Sequence, residues 1–287
     1  MKIFVTGGAG FIGIHLCRKL ALHHEVTVFD NFSNSKQEHF PVIPNLTLIV
    51  GDILDSSKLH NSMKNHDIVI HLAAKTDVID SISNSDDTFK TNVKGTQNIV
   101  NSCESHSISK IIVTSSAAVY QNSTNFVDET SDTKPSSPYG QSKLDMEKII
   151  KESKVNHIIL RLFNVYGNGQ TKGVIAKFIE NLSKNEPLVI FGDGNAIRDF
   201  IHIDDVVIAI LLSIKSKSGV YNIASGTTTS INNLAKLLIE LFNKKSKIIF
   251  KPIRPGEIIF SASNIDKSQE ALEFHPKISL NDGLKLI

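Results

Sequence analysis

The first thirty residues constrain the chain more than any other stretch. Lys2-Ile3-Phe4-Val5-Thr6 is a short apolar run of the kind that forms a buried parallel strand. Gly7-Gly8-Ala9-Gly10-Phe11-Ile12-Gly13 follows and passes straight into a helical pattern carried by Ile14, Leu16, Cys17, Leu20 and Ala21. A second apolar run, Val26-Thr27-Val28-Phe29, ends on Asp30. Strand, glycine turn, helix and strand therefore succeed one another with an acid roughly twenty positions beyond the glycines.

A helix start carries unpaired N–H groups and about half a positive charge, so it attracts a pyrophosphate. Phosphates approach only where the turn has no side chains, which is the reading given to Gly8 and Gly10, while Gly13 lets helix and strand pack closely. The cofactor-binding set predicted here is Gly7, Gly10, Phe11, Ile12 and Gly13 with Asp30 and Asn31. Asp30 can accept hydrogen bonds from both hydroxyls of an adenosine ribose and repels a 2′-phosphate. Asn31, Phe32, Ser33 and Asn34 offer no cation to neutralise one, so the expected dinucleotide is NAD rather than NADP. A phosphate loop of the Gly-Lys-Ser/Thr type is excluded, because Gly13 is followed by Ile14.

Composition narrows the class further. At 287 residues and 41% hydrophobic, the chain can bury two domains or one large one. Its 31 basic and 29 acidic residues nearly cancel, so charge implies neither a nucleic-acid nor a membrane partner. No apolar run approaches membrane-spanning length and the N-terminus enters a strand at once, so a cytoplasmic protein without a signal peptide is expected. Cys17 and Cys103 both lie in helical patterns and read as buried thiols, and the eleven histidines show no ligand spacing, so no metal is expected.

Strand and helix continue to alternate. Strands are expected at 46–50, 67–71, 110–114 and 157–162, with helices at 56–63, 87–105 and 139–154. Near-continuous apolar strands joined by helices predict an α/β fold, a doubly wound parallel (Rossmann) sheet. After Asn164 the rhythm changes to a glycine-punctuated loop, a helix at 174–182, short strands at 188–191, 200–203, 220–223 and 247–250, and a helix at 231–242 capped by Ser230. The expected division is a Rossmann domain at 1–163 and a smaller mixed α/β substrate domain at 164–287, with about 203–223 folding back on the first. Ligands of open parallel sheets bind beyond the carboxyl ends of strands. Asp30, Leu72-Ala73-Ala74, Ser115-Ser116 and Asn164 all follow strand ends and are expected to meet in one cleft.

Tyr139-Gly140-Gln141-Ser142-Lys143 places a phenol and an ammonium four residues apart on one helix face. A free phenol, with a pKa near 10, is a poor base at neutral pH. A neighbouring Lys and a positive nicotinamide ring both favour the phenolate. Lowering the pKa by about 3 units takes roughly 4 kcal/mol. Ser136 and Ser137 can cap this helix and Pro138 suits its first turn.

Taken together, the glycine turn from Thr6 to Gly13, Ser115-Ser116-Ala117-Ala118-Val119-Tyr120 and the Tyr139–Lys143 pair occur in the order of the extended short-chain dehydrogenase/reductases. The chain most resembles the UDP-glucose 4-epimerase group of NAD-dependent nucleotide-sugar epimerases. The resemblance extends to Arg161-Leu162-Phe163-Asn164-Val165-Tyr166-Gly167, Arg198-Asp199-Phe200-Ile201-His202 and Arg254-Pro255-Gly256-Glu257. It implies Tyr139 as catalytic base and acid, Lys143 as its partner and a ligand of the nicotinamide ribose, and Ser116 on the sugar 4-hydroxyl, with Ser115 the lesser candidate beside the cofactor. It also implies Asp52 and Ile53 at the adenine, Leu72, Ala73 and Ala74 along the cofactor, and Asn92 near its nicotinamide half. Asn164, Arg198, Arg254 and Glu257 would hold the nucleotide diphosphate, although surface ion pairs explain two such arginines equally well. Pro255-Gly256 reads as a rigid turn that places Arg254.

The implied reaction is oxidation of a UDP-sugar at C4 to a 4-keto species, its turning over, and reduction from the other face, with NAD retained. Ala117 and Ala118 stand where family dehydratases carry an acid pair and decarboxylases a glutamate. Ser261 stands where epimerases restricted to plain hexoses carry tyrosine, which leaves room for a 2-N-acetyl group. Gln121 replaces a usual glycine, Asn264 a frequent acid, and the chain stops inside what would be the last helix, as a truncated or a compact form. A homodimer through 87–105 and 139–154 is implied. Another nucleotide-sugar oxidoreductase or dehydratase, and a non-catalytic NAD-binding regulator, remain as alternatives.

Overall fold

The computed structural model describes residues 1–254 and 257–287. The expected turn at Pro255-Gly256 lies outside the described residues. In chain order the elements are β1 (Lys2–Thr6), α1 (Phe11–Leu20), β2 (Glu25–Asp30), β3 (Leu46–Val50), α2 (Ser56–Ser62), β4 (Ile68–His71), α3 (Asp80–Ser83), α4 (Ser85–Phe89), α5 (Gly95–Ser105), β5 (Lys110–Ser116), α6 (Pro138–Glu152) and β6 (His157–Leu162). There follow β7 (Asn164–Tyr166), α7 (Val174–Ser183), β8 (Leu188–Phe191), β9 (Ile197–Arg198), β10 (Phe200–His202), α8 (Ile203–Ser213), β11 (Gly219–Ile223), β12 (Thr229–Ser230), α9 (Ile231–Leu241), β13 (Ile248–Lys251), β14 (Phe260–Ser261), α10 (Asp266–Leu272) and α11 (Leu280–Leu284).

Seven strands form one parallel sheet in the order β11-β6-β5-β4-β1-β2-β3, the doubly wound Rossmann arrangement. The order reverses beside β1, so the loops after β1 and β4 open at a switch point. The chain divides into two units. The first comprises 1–121, 132–161 and 207–221; the second comprises 122–131, 162–206 and 222–287.

The first unit's core lies between sheet and helices and includes Phe4, Phe29, Met63, Val69, Ile99, Val113, Met146 and Ile150. The central strands β4 and β5 are almost wholly buried because helices cover the sheet, which is why they read as unbroken apolar runs. Local chemistry starts the helices. Ser137 Oγ accepts from Gly140 N at 3.1 Å and Pro138 occupies the first turn of α6. In the second unit Ser230 Oγ accepts from Asn233 N at 3.1 Å to open α9. The core there gathers Phe178, Leu188, Phe200, Leu234 and Leu238 around Tyr166.

The single helix expected over 87–105 is instead α4, a π turn over Lys90–Lys94, and α5. Asn92 sits in that turn. Its Oδ1 accepts from Lys75 N at 2.8 Å and its Nδ2 donates to Lys75 O at 3.0 Å. This capture of a neighbouring loop accounts for the wider turn, and such turns recur at functional sites. Among the described residues no helix is long and apolar enough to cross a membrane.

Candidate active site

Gly7 has φ +71°, and a β-carbon there would lie 2.5 Å from Ala73 N. The turn after β1 and the Leu72-Ala73-Ala74 segment after β4 therefore abut backbone to backbone. A β-carbon on Gly13 would lie 2.4 Å from Gly7 O, so the helix comes down onto the turn only because both are glycine. Gly10 caps α1 without a side-chain acceptor, and a β-carbon there would meet only Gly7 O at 3.3 Å. Gly8 corrects the reading from sequence. Its missing side chain would run into Val28 at 2.7 Å and Cys17 Sγ at 3.2 Å. Packing beneath the turn, not phosphate access above it, requires this glycine.

Asp30 ends β2 with Oδ2 accepting from Ala9 N at 2.9 Å and Oδ1 from Phe32 N at 2.8 Å. Each carboxylate oxygen keeps a further acceptor position for a ribose hydroxyl. Asn31 Nδ2 donates to Asp52 Oδ2 at 2.9 Å, which joins the ends of β2 and β3 at this corner. Ile53 is only 5% exposed and its carbonyl accepts from Asn98 Nδ2 at 2.9 Å. Its side chain belongs to the core. An open, side-chain-free helix start, small Ala73 beside the turn and a strand-end acid fit the pyrophosphate and ribose of NAD.

Under this floor a buried histidine is held by two threonines. His71 Nδ1 lies 2.7 Å from Thr6 Oγ1 and Nε2 lies 3.0 Å from Thr96 Oγ1, whose hydroxyl donates to Asn92 O. Burial, then the Lys143 charge, pushes His71 down to about 3, so it is neutral.

Strand β5 delivers Ser115 and Ser116, and α6 delivers Tyr139 and Lys143. Ser116 lies close enough to Tyr139 for its hydroxyl to act on the phenol. Ser116 Oγ also accepts from Ala118 N at 3.1 Å, which turns the chain out of β5. A β-carbon on Gly140 would lie 2.3 Å from Ala118 O, so this turn and the start of α6 are in close contact. Lys143 donates from Nζ to Thr114 O at 2.8 Å and is 3% exposed. Burial pushes its ammonium down to about 8, against the upward pull of Glu147. Burial likewise pushes the Tyr139 phenol above its ordinary value, and the Ser116 hydroxyl draws it only part of the way back. The lowering expected from Lys143 is not among the influences on this phenol; within the protein's own groups desolvation sets the direction.

The other two residues expected here are engaged by the protein itself. Asn92 Nδ2 also donates to Ser142 Oγ at 2.9 Å, and that hydroxyl donates to Tyr139 O at 2.7 Å. Ser115 donates to Glu147 Oε1 at 2.6 Å, and Arg161 completes that cluster with bonds of 2.9 and 2.7 Å to the same carboxylate. Sequence reasoning passed over Glu147 and His71; the acid four residues beyond Lys143 was the available signal for the first.

In the second unit Asn164 donates through N at 3.1 Å and Nδ2 at 2.9 Å to Asp199 O. The Asp199 carboxylate accepts from Ser225 N at 2.7 Å and Gly226 N at 2.9 Å, yet burial pushes it up to about 6. Arg198 donates to Glu257 Oε1 at 3.0 Å, and Arg254 donates to Glu257 Oε2 at 2.9 and 2.7 Å. Arg254 also lies over the Phe191 ring, 4.4 Å from its centroid. The three charged residues are therefore one cluster, with Glu257 and Phe191 holding Arg254. Ser261 pairs in register with Arg198 across β14 and β9. Among the described residues no group of three or more His, Cys, Asp or Glu is placed to hold a metal.

The sequence pattern of the NAD dependent epimerase/dehydratase family matches residues 3–224. The crystal structure of UDP-glucose 4-epimerase from Thermotoga maritima, solved with UDP-glucose, superposes with a TM-score of 0.94 at 34% identity, covering 100% of this chain and 97% of that one. UDP-glucuronic acid 4-epimerase from Bacillus cereus, solved with UDP-glucuronic acid and NAD, gives 0.94 at 30% identity over 100% and 97%. A UDP-N-acetyl-alpha-D-glucosaminuronate decarboxylase from Bacillus cytotoxicus is 32% identical over 99% of this chain and 95% of its own length. With fold, cofactor turn and full-length similarity in agreement, the chain belongs to the NAD dependent epimerase/dehydratase family, whose cofactor is NAD.

Proposed function

We propose that the protein epimerises a UDP-sugar at C4, acting on UDP-glucose and UDP-galactose and accepting 2-N-acetyl sugars. The observation that carries this reading is the arrangement of Ser116 at the end of β5 beside Tyr139 at the start of α6, with Lys143 one helical turn further on. NAD, when bound, supplies the hydride acceptor and donor. Gly7, Gly10 and the α1 start hold its pyrophosphate, Asp30 its adenosine ribose, and Lys143 its second ribose. Tyr139 takes the proton of the 4-hydroxyl and later returns it. Ser116 orients that hydroxyl and passes the proton to the phenolate. Lys143 supplies positive charge that favours the phenolate. In the second unit Arg198, Arg254, Glu257 and Asn164 hold the nucleotide diphosphate, so that binding energy far from C4 retains the oxidised sugar between half-reactions.

A decarboxylase reading is favoured by the Bacillus cytotoxicus relative. Ala118, where the resemblance places a glutamate in decarboxylases, opposes it, and Ala117-Ala118 opposes dehydration in the same way. Ser261, small where the resemblance places tyrosine in epimerases restricted to plain hexoses, supports tolerance of a 2-N-acetyl group. A panel of UDP-glucose, UDP-N-acetylglucosamine and UDP-glucuronate tests the reading. A 4-epimer from either of the first two supports it; carbon dioxide from the third, with no epimer from any, replaces it by decarboxylation. A homodimer is the assembly expected, and light scattering on the purified protein tests it.

A further inference from the structure

Glu147 is 0% exposed, on α6 one turn past Lys143, and no step of the reaction above uses it. A buried carboxylate without compensation is strongly destabilising, so its partners matter. Three side chains converge on it with four hydrogen bonds. Oε1 accepts from Ser115 Oγ at 2.6 Å and Arg161 Nε at 2.9 Å; Oε2 accepts from Arg161 at 2.7 Å and Lys151 Nζ at 3.1 Å. Arg161 is itself buried on β6 and lies over the Tyr120 ring at 4.8 Å. Burial pushes the Glu147 carboxyl up, but the Arg161 hydrogen bonds and charge outweigh it and keep Glu147 ionised.

The partners of this carboxylate frame the reactive groups. Ser115 is the residue before Ser116. Lys143, four residues before Glu147, is tied to Thr114 O, the residue before Ser115. We propose that Glu147 is a positioning residue for Ser116, Tyr139 and Lys143: its one carboxylate ties α6 to the ends of β5 and β6 and supplies the counter-charge to the Lys143 ammonium. This rests on the reading of α6 as the catalytic helix. An ion pair kept only for stability could sit anywhere along α6; this one also grips the serine next to Ser116, and its charge acts on an ammonium that burial drives toward neutrality. The Glu147 charge acts on Lys143 from its own helix, while the Tyr139 phenol on that helix and His71 on β4 are both neutral, so the Glu147 charge is what opposes desolvation.

The test titrates Lys143 directly in the NAD-bound protein, by carbon-13 NMR of labelled lysine side chains, with a Lys143→Met variant to identify the resonance. Glu147→Gln lowers the Lys143 titration by about one pH unit or more, the effect of removing a close opposite charge. It also moves the alkaline limb of kcat down by the same amount and lowers kcat about 10- to 100-fold through misplacement, with KM little changed. If Glu147→Gln does not fold, Glu147→Gln/Arg161→Met, which leaves no unpaired buried guanidinium, carries the same expectation. Ser115→Ala keeps the ion pair; its kcat falls while its Lys143 titration stays at the wild-type value. A Lys143 titration unmoved in the Glu147 variants, or an unchanged kcat in Ser115→Ala, overturns the proposal. Absence of epimerase activity in the wild type refutes the functional reading instead, and the NMR titration still reports on Glu147.

Discussion

Lys143 Nζ lies 2.8 Å from the carbonyl oxygen of Thr114, so the ammonium of α6 is fastened to the strand that ends in Ser115 and Ser116. A second N–H is directed at Met146 Sδ at 3.9 Å, so one remains for a ligand. Because burial brings this ammonium down to about 8, its charge is lost in mildly alkaline solution. The kcat of the wild-type protein therefore declines as pH rises through about 8, and a profile flat to pH 10 contradicts this role for Lys143.

Tyr139→Phe removes the proton acceptor and leaves the glycine turn intact. The expected loss in kcat is about 10²- to 10⁴-fold. NAD recovered from the denatured variant should match the wild-type content, which separates a lost proton transfer from a lost cofactor.

Two glycines of the same turn should respond differently. Gly13→Ala forces a methyl to 2.4 Å from Gly7 O and costs about 1–3 kcal/mol of stability, seen as a lower Tm. Gly10→Ala meets only Gly7 O at 3.3 Å, so its Tm should stay near the wild-type value. Its affinity for NAD should nevertheless fall about tenfold, equivalent to 1.4 kcal/mol. Calorimetry with NAD on both variants distinguishes the two effects.

Much of this was legible because it is local. The β1–α1–β2 unit and α6 declare themselves through apolar runs, glycines and a Ser-Pro helix start. Gly8 was misread because what it packs against, Val28, lies on another strand. The π turn at Asn92 was hidden because its cause is the backbone of Lys75, seventeen residues away. Strands β9, β12 and β14 have two residues each, too few for any periodicity to show. Glu147 was passed over because its partner Arg161 lies on β6, outside the helix that carries the acid. Arg198 and Glu257, 59 residues apart, could be assigned a ligand from resemblance but not to each other.

Arg198→Met and Arg254→Met each remove a charged donor proposed for the diphosphate. Hydrogen bonds to charged groups contribute about 1.5–3 kcal/mol, so kcat/KM should fall roughly ten- to a hundredfold, chiefly through KM. Bound NAD should be unaffected. Unchanged KM in both variants would return the cluster to a purely structural ion pair.

His71 gives the protein an acid sensitivity of defined sign. Its folded-state value, about 3, lies below the ordinary histidine value near 6.5, so the unfolded chain binds the extra proton between those limits. The stability tied to neutral His71 is complete above about pH 6.5 and is lost as pH falls toward 3. Asp199, raised to about 6, acts in the opposite direction between about 4 and 6. Urea unfolding at pH 7 and 4.5 isolates the histidine by comparison with His71→Gln. The wild type should lose about 3 kcal/mol more than the variant over that interval.

The central claim is tested most directly by proton NMR of the purified protein with UDP-glucose and, separately, UDP-N-acetylglucosamine, with no reduced cofactor added. The account predicts a growing signal from the 4-epimer in at least one tube, abolished by Tyr139→Phe. No conversion of either sugar by protein that retains bound NAD would contradict it.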